Sequence, residues 1–430
     1  MKRIVAIFLA CLMVLLCLAG CSSKPESGGN NTDGGNTTVK AESVSIAGVD
    51  ISQFTIVYAP VYTEEFLAEF EAFLGDEYEH NLETANELKG LLSEALGVTL
   101  PVLAQAESTA EHEILIGASE GHEDIAYSVS VKEGDLIVTG GSDGAVYYAV
   151  NAIGKALANA PAKELAWGEG AILSGTAPMK RIACVGDSLT EGSIGGHVTP
   201  ELAYPAALGR LLWQDYVVYN YGLGGTTMMN MSKSPYQSSA QYADCLDSGK
   251  TYDIIFVMLG TNDANFAVEE WKQANGYAPA TPWGDILATR SDAWEEAWTE
   301  ELNASYMESC EELFATLAAK NPEARFAFMN CPIKFTKAGY GHADMLTVQA
   351  EAASLMKDKG YDITFYDMRA YTTDVLTKEN FRDGLHPDYA GYALIAEGVL
   401  DLLYHLTDGD ENEYVLTYFL LEKKVGKENS

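Results

Sequence analysis

The sequence predicts an α/β protein: a central parallel sheet with helices on both faces over residues 176–430, preceded by a smaller α+β domain over residues 42–175. Three observations predict it. Beyond residue 178, short apolar runs at 181–185, 216–219, 254–259, 325–329 and 363–367 alternate with helical patterns, the order of repeated strand–helix units. Three of these runs stop in clusters of Gly, Asp, Asn or Ser, residues that turn a chain sharply at a strand end. Before residue 175 the order is instead strand, long helix, strands and helix, including a hairpin whose apolar and polar residues alternate.

In chain order, Lys2 and Arg3 precede an apolar run over 4–18, too short for a comfortable membrane span, which reads as a signal peptide over residues 1–20. It ends in Leu18-Ala19-Gly20-Cys21, which resembles a bacterial lipobox and implies cleavage before Cys21 and lipidation of its sulfur. An ordinary signal with a chance cysteine, or an uncleaved anchor, is the plainer alternative. Residues 21–41, rich in Ser, Gly, Asn and Thr, read as a flexible tether.

In 42–175 a strand at 54–58 closes at Pro60, and helix follows over 63–96 with a break near Gly75. Leu82, Ala85, Leu88, Leu91, Leu92 and Ala95 recur at helical spacing, and Gly97 is a C-cap candidate. Strands are expected at 100–103 and 113–116, then a hairpin pairing 127–131 with 136–139. A helix over 143–157 turns Val146, Val150 and Ile153 inward, and 159–177 reads as the link to the second domain. The segments 92–102, 113–117 and 137–142 resemble the small domain that precedes the catalytic barrel in hexosaminidase-like and α-glucuronidase-like glycosidases. That resemblance implies scaffold and hints at carbohydrate; a spacer holding the enzyme off a membrane is the alternative. In the second domain, helices are expected at 201–213, 302–320, 342–359 and 391–403, while 414–421 could be a strand or a docking segment.

The second domain is organised around Gly186-Asp187-Ser188, where a buried strand turns into a helix. A serine there can be a nucleophile, since the helix N-terminus favours negative charge beside it, or simply an N-cap. Three later blocks bear on the choice: Gly222-Leu223-Gly224-Gly225, Gly260-Thr261-Asn262-Asp263 and Asp383-Gly384-Leu385-His386. Together the four resemble the SGNH (GDSL) hydrolase family of esterases and lipases, over about residues 179–405. The resemblance implies a flavodoxin-like αβα sandwich and ester hydrolysis through an acyl-enzyme. Ser188 is then the nucleophile, His386 the general base and Asp383 the group that orients the imidazole. The oxyanion donors are the backbone N–H of Ser188 and of Gly225 and the amide of Asn262. Gly222 and Gly224 read as turn formers, and Asp187 and Asp263 as loop-holding acceptors, with Asp187 also a candidate substrate contact. His386 could alternatively cap the following helix, and Asn262 could merely form a turn.

Residues 264–300 are long for a connection and hold Trp271, Trp283, Trp294 and Trp298. Trp271 and Trp283 are candidate substrate contacts, with Trp294 and Trp298 equally able to anchor a helix to the core. Met228, Met229 and Met231 read first as packing and second as an acyl pocket. The net charge of -35 leaves no basic patch for nucleic acid. No metal and no cofactor is called for. Of seven cysteines, Cys11 and Cys17 belong to the signal and Cys21 is the lipidation candidate. Cys184, Cys245, Cys310 and Cys331 match no zinc spacing, and buried thiols or one disulfide both fit. The expectation is an exported, lipid-anchored esterase removing short acyl groups, foremost acetyl, from carbohydrate or another small ester, touching membrane only through its anchor. A lipase or lysophospholipase, an acyltransferase, or an inactive glycan-binding lipoprotein are the alternatives. The oligomeric state stays open.

Overall fold

The structure is a computed structural model describing residues 38–407 apart from 75–77, 119–120, 195, 333–341 and 382. The expected signal peptide, Cys21, nearly all of the tether, the break at Gly75 and the segment 414–421 lie outside the described residues. The described residues from Val39 onward form one compact unit.

Its N-terminal part is built on six strands: β1 (Thr55–Tyr58), β2 (Val102–Ala104), β3 (Glu113–Ala118), β4 (Ala126–Lys132), β5 (Asp135–Gly140) and β6 (Gly170–Thr176). They lie in the order β2-β1-β3-β5-β4-β6. β2, β1, β3 and β5 pair parallel, while β4 runs antiparallel to β5 and β6. A short helix α1 (Glu64–Phe70) precedes α2 (His80–Leu96), and α3 (Asp143–Ala158) follows β5. Ala85, Leu88 and Leu92 of α2 and Val146, Val150 and Ile153 of α3 are buried in one core, as their spacing requires. Gly97 ends α2 at φ +71, and the Ser142 hydroxyl accepts from the Ala145 N–H to start α3.

Two expectations change here. Residues 159–177 are not a plain link: Glu164–Trp167 pairs with Ser43–Ile46 in a small sheet, and β6 closes the main sheet at its edge. Most of β6 is partly or fully exposed, so it carries no continuous apolar signal. Next, β2 begins at Val102 rather than residue 100, because Pro101 has no N–H to give the ladder and contributes only its carbonyl, to Ile56.

The C-terminal part holds β7 (Lys180–Gly186), β8 (Tyr216–Gly222), β9 (Ile254–Met258), β10 (Arg325–Met329) and β11 (Ile363–Tyr366). All pair parallel, in the order β8-β7-β9-β10-β11. That is the flavodoxin-like arrangement, with its reversal of direction beside β7. Described helices of this part are α4 (Ser188–Glu191), α5 (Tyr204–Leu211), α6 (Ala240–Asp247), α7 (Thr261–Ala274), α8 (Trp283–Leu287), α9 (Ala293–Ala297), α10 (Glu300–Lys320), α11 (His342–Asp358), α12 (Met368–Val375) and α13 (Tyr389–Thr407). Alternate strand residues face opposite layers. Ala183, Val185, Ile255 and Val257 meet Phe314, Leu317 and Met356 of α10 and α11, while Ile182, Cys184, Ile254 and Phe256 meet Leu208 of α5 and Ile395 and Val399 of α13. The stretch after Asn262 is therefore mostly helix, in α7, α8 and α9, and not an open loop. The two parts touch closely: the His80 ring stacks on Trp213 at 4.6 Å, and a Cβ at Gly144 would lie 2.1 Å from the Trp213 carbonyl oxygen.

Candidate active site

The site lies where the sheet reverses, at the C-terminal ends of β7, β8 and β9. β7 ends in Gly186, where any Cβ would come within 2.0 Å of the Thr190 hydroxyl oxygen, so only glycine lets the chain turn this tightly. Asp187 then caps α4, its Oδ1 accepting from the Leu189 N–H at 3.0 Å. This sets Ser188 at the first helical position, 8% exposed.

Ser188 Oγ lies 2.9 Å from His386 Nε2, and His386 Nδ1 lies 2.6 Å from Asp383 Oδ2. The other carboxylate oxygen accepts from the backbone N–H of Leu385 at 2.9 Å and of His386 at 2.7 Å. Partial burial would raise the Asp383 carboxyl, but its bonds from the His386 ring and N–H and from Leu385 outweigh that and hold it below 3.8. An ionised carboxylate can only accept, so Nδ1 carries the ring proton and Nε2 is left to accept from the serine hydroxyl. The four blocks named from the sequence thus converge.

The glycine block meets this relay edge-on. A Cβ at Gly222 would be 2.2 Å from the Glu191 nitrogen, so that glycine answers to close packing against α4 rather than to a turn. Gly224 donates its N–H to Glu191 Oε2 at 2.9 Å, and a Cβ there would stand 3.5 Å from Ser188 Cβ. Gly225 has φ +76, with nothing within 4 Å of where a Cβ would be. Asn262 Nδ2 donates to the Thr226 carbonyl at 2.9 Å and lies 3.4 Å from Asp187 Oδ2. Among the described residues, none accepts from the backbone N–H of Ser188 or Gly225. Those two N–H groups can meet an oxygen that gains negative charge, and the Asn262 amide can join them by giving up its longer bond, to Asp187.

Two buried carboxylates hold the frame. Asp263 accepts from the N–H of Met228 and of Met229, each at 2.8 Å, and burial pushes it up to about 6. Burial pushes Asp187 up to about 7, against the Leu189 N–H and the Thr261 hydroxyl. Asp187 is fully buried, which corrects its reading as a substrate contact. Trp271 and Trp283 are corrected too. They pack edge-to-face at 5.4 Å in a satellite core with Val268, Ile286, Ala293 and Ala297, and Trp283 is fully buried. Trp271 is further enclosed by Tyr277 and by Arg290 over its ring. Trp294 and Trp298 stack on each other at 5.4 Å, and Trp298 meets Tyr306 of α10, the helix-anchoring alternative. Met228 and Met229 are buried packing, and Met231 is exposed.

Two supporting residues escaped the sequence reading. Glu191 holds Gly224, and Tyr392 donates to the Ser193 carbonyl at 2.9 Å and lies 3.4 Å from that of Ser188. Glu191, three residues after Ser188, had a signal in its position; Tyr392, one apolar residue in a helical pattern, had none. Cys184, Cys245, Cys310 and Cys331 are all buried free thiols. Among the described residues, no three His, Cys, Asp or Glu side chains gather as a metal ion requires.

A hydroxyl, imidazole and carboxylate in series at the strand ends of a flavodoxin-like sheet are the arrangement of a serine-type hydrolase. Residues 184–394 match the GDSL-like Lipase/Acylhydrolase family, so this stretch of the chain is a GDSL-like lipase/acylhydrolase domain. An acetylxylan esterase of Xylanibacter ruminicola is 27% identical over 223 residues, which are 50% of this chain and 42% of that protein. The chain therefore spans less than half the length of that relative. Among solved structures, an acetyl xylan esterase from the rumen bacterium Butyrivibrio proteoclasticus is 17% identical, with 55% of this chain and 67% of that one covered and a TM-score of 0.36. An aryl esterase of M. smegmatis is 18% identical, covering 53% of this chain and 99% of that one, with a TM-score of 0.36.

Proposed function

We propose that this protein is an exported, lipid-anchored serine esterase that removes short acyl groups, foremost acetyl, from carbohydrate. The observation that carries the chemistry is the continuous path from Ser188 Oγ through His386 to Asp383. In this reading His386 Nε2 takes the Ser188 proton as Oγ attacks the ester carbonyl, and the Asp383 carboxylate stabilises the imidazolium that forms. The carbonyl oxygen, now an anion, meets the N–H of Ser188 and Gly225 and the Asn262 amide. His386 returns the proton to the leaving alcohol, Ser188 keeps the acyl group as an ester, and water attacks that ester by the same route.

Acetylated carbohydrate as substrate is supported by the relationship to an acetylxylan esterase over the hydrolase domain. The division into an accessory domain over 42–175 and a catalytic domain over 176–430 is supported by the two separate main sheets. Export and anchoring rest on the lipobox-like residues before Cys21.

The test is release of p-nitrophenol from its acetate ester, with Ser188→Ala as control, followed by a series from acetyl to palmitoyl esters and by acetate release from acetylated xylan. The reading expects turnover by the wild type only, falling with chain length. Equal rates for both proteins would favour a binding protein, and a rise with chain length would favour a lipase. Mass spectrometry of the native N-terminus checks the anchor: acyl chains on Cys21 are expected, and an unmodified cysteine overturns that part.

A further inference from the structure

Tyr389 opens α13 three residues after His386, and the N-terminal part of the chain grips it. Its ring meets Phe70, the last residue of α1, at 5.4 Å edge-on, and Phe73 in the single turn that follows at 5.1 Å. Its hydroxyl lies 3.4 Å from Thr199 Oγ1, in the segment that leaves the Ser188 helix. Tyr389 thus joins the nucleophile segment, the histidine loop and a piece of chain from the other sheet.

That piece is built for the contact. Tyr62, Phe66 and Phe70 are four residues apart and share one side of α1 and its approach. Tyr62 stacks on Phe66 at 4.9 Å, Phe66 meets Phe70 at 4.9 Å, and Arg210 holds the Tyr62 hydroxyl at 3.3 Å. The row is absent from the N-terminal core cluster, and no residue of α1 is buried. An aromatic strip that adds so little to a core, yet ends against the helix turn after His386, serves that turn. The histidine loop needs such support, because Asp383 is 39% exposed and its loop lies at the rim of the site.

We infer that Phe70 and Phe73 are positioning residues for the hydrolysis: through Tyr389 they fix the His386 loop at its reach from Ser188. The N-terminal part then helps to hold the active site in place and is not only a spacer. This rests on the esterase reading above.

The experiment uses the full chain and compares wild type, the double variant Phe70→Ala/Phe73→Ala and the ring-retaining Phe70→Tyr/Phe73→Tyr. Readouts are kcat and KM on p-nitrophenyl acetate, the rate at which a sulfonyl fluoride labels Ser188, and the melting temperature. A loosened Ser188–His386 alignment lowers kcat about tenfold and slows labelling in proportion. KM stays within about twofold, because neither ring touches the nucleophile, and the tyrosine pair restores both rates. If the alanine pair does not fold, Phe70→Leu/Phe73→Leu carries the comparison. A folded variant with wild-type kcat and labelling overturns the inference alone, as does a loss that the tyrosine pair fails to restore. A wild type with neither turnover nor labelling overturns the esterase reading, and the inference with it.

Discussion

Asp383 is the outermost member of the relay, and the one whose contribution is easiest to isolate. Its carboxyl is held below 3.8, chiefly by bonds from His386, so it is ionised through neutral and mildly acidic pH. Its contribution to stability is present above 3.8 and is lost as pH falls through its lower folded value. Asp383→Asn offers the ring an amide that can donate, favouring the wrong tautomer, and should lower kcat by roughly 10³–10⁴-fold with the fold intact. Asn262→Ala removes one donor and should cost roughly 10²–10³-fold in kcat with little change in KM. Steady-state kinetics on a short acyl ester check both. At this scale the sequence was legible where a residue's chemistry is tied to a block: Ser188, Asp383 and His386 meet as the motifs imply. It misled at Trp271 and Trp283, because counting aromatics in a segment does not say which side of a helix is buried.

The elements around the nucleophile are fastened by carboxylates that have little contact with water. Asp187 rises from 3.8 to about 7 in the folded protein, mainly through burial. A raised carboxyl contributes stability that is complete below the unfolded value and is lost as pH climbs through the folded one. Each factor of ten is about 1.4 kcal/mol, so the span is worth on the order of 4 kcal/mol. Asp263, at about 6, acts in the same direction over a narrower range. The melting temperature should therefore fall as pH rises from about 4.5 to 8, and Asp187→Asn should flatten that slope. A slope unchanged in the variant would contradict the assignment. The glycines give a second check. Gly186→Ala would drive a methyl to 2.0 Å from the Thr190 hydroxyl, so it should destabilise by several kcal/mol, of the order expected for severe overpacking. Circular-dichroism melts should show a loss well beyond that of Gly209→Ala, where a Cβ finds no atom nearer than 3.6 Å.

Across the whole molecule, two sheets meet around a few residues. Arg181 at the start of β7 clasps Asp124 of the N-terminal part through two bonds, at 2.8 and 2.7 Å, and the Tyr219 hydroxyl reaches the same carboxylate. Both charged side chains are mostly buried, so Arg181→Met leaves the carboxylate without its cation and should cost about 3–5 kcal/mol, read from chemical denaturation. This scale was the least legible in the sequence. The five parallel strands could be counted from apolar runs, and their order agrees with the four-block resemblance. The edge strand β6 has no buried residue and so no apolar period to count, and the pairing of Ser43–Ile46 with Glu164–Trp167 joins two four-residue strands that lie far apart in the chain. Nor could the grip of Phe70 and Phe73 on Tyr389 be read there, since it joins residues more than 300 positions apart. Every step of the hydrolysis passes through Ser188 carrying the acyl group. Acid-quenching the enzyme during turnover of p-nitrophenyl acetate and mapping the acetylated peptide by mass spectrometry tests this directly. The acetyl group should sit on Ser188 and be absent from Ser188→Ala; an acetyl on another residue, or full turnover by the alanine variant, would contradict it.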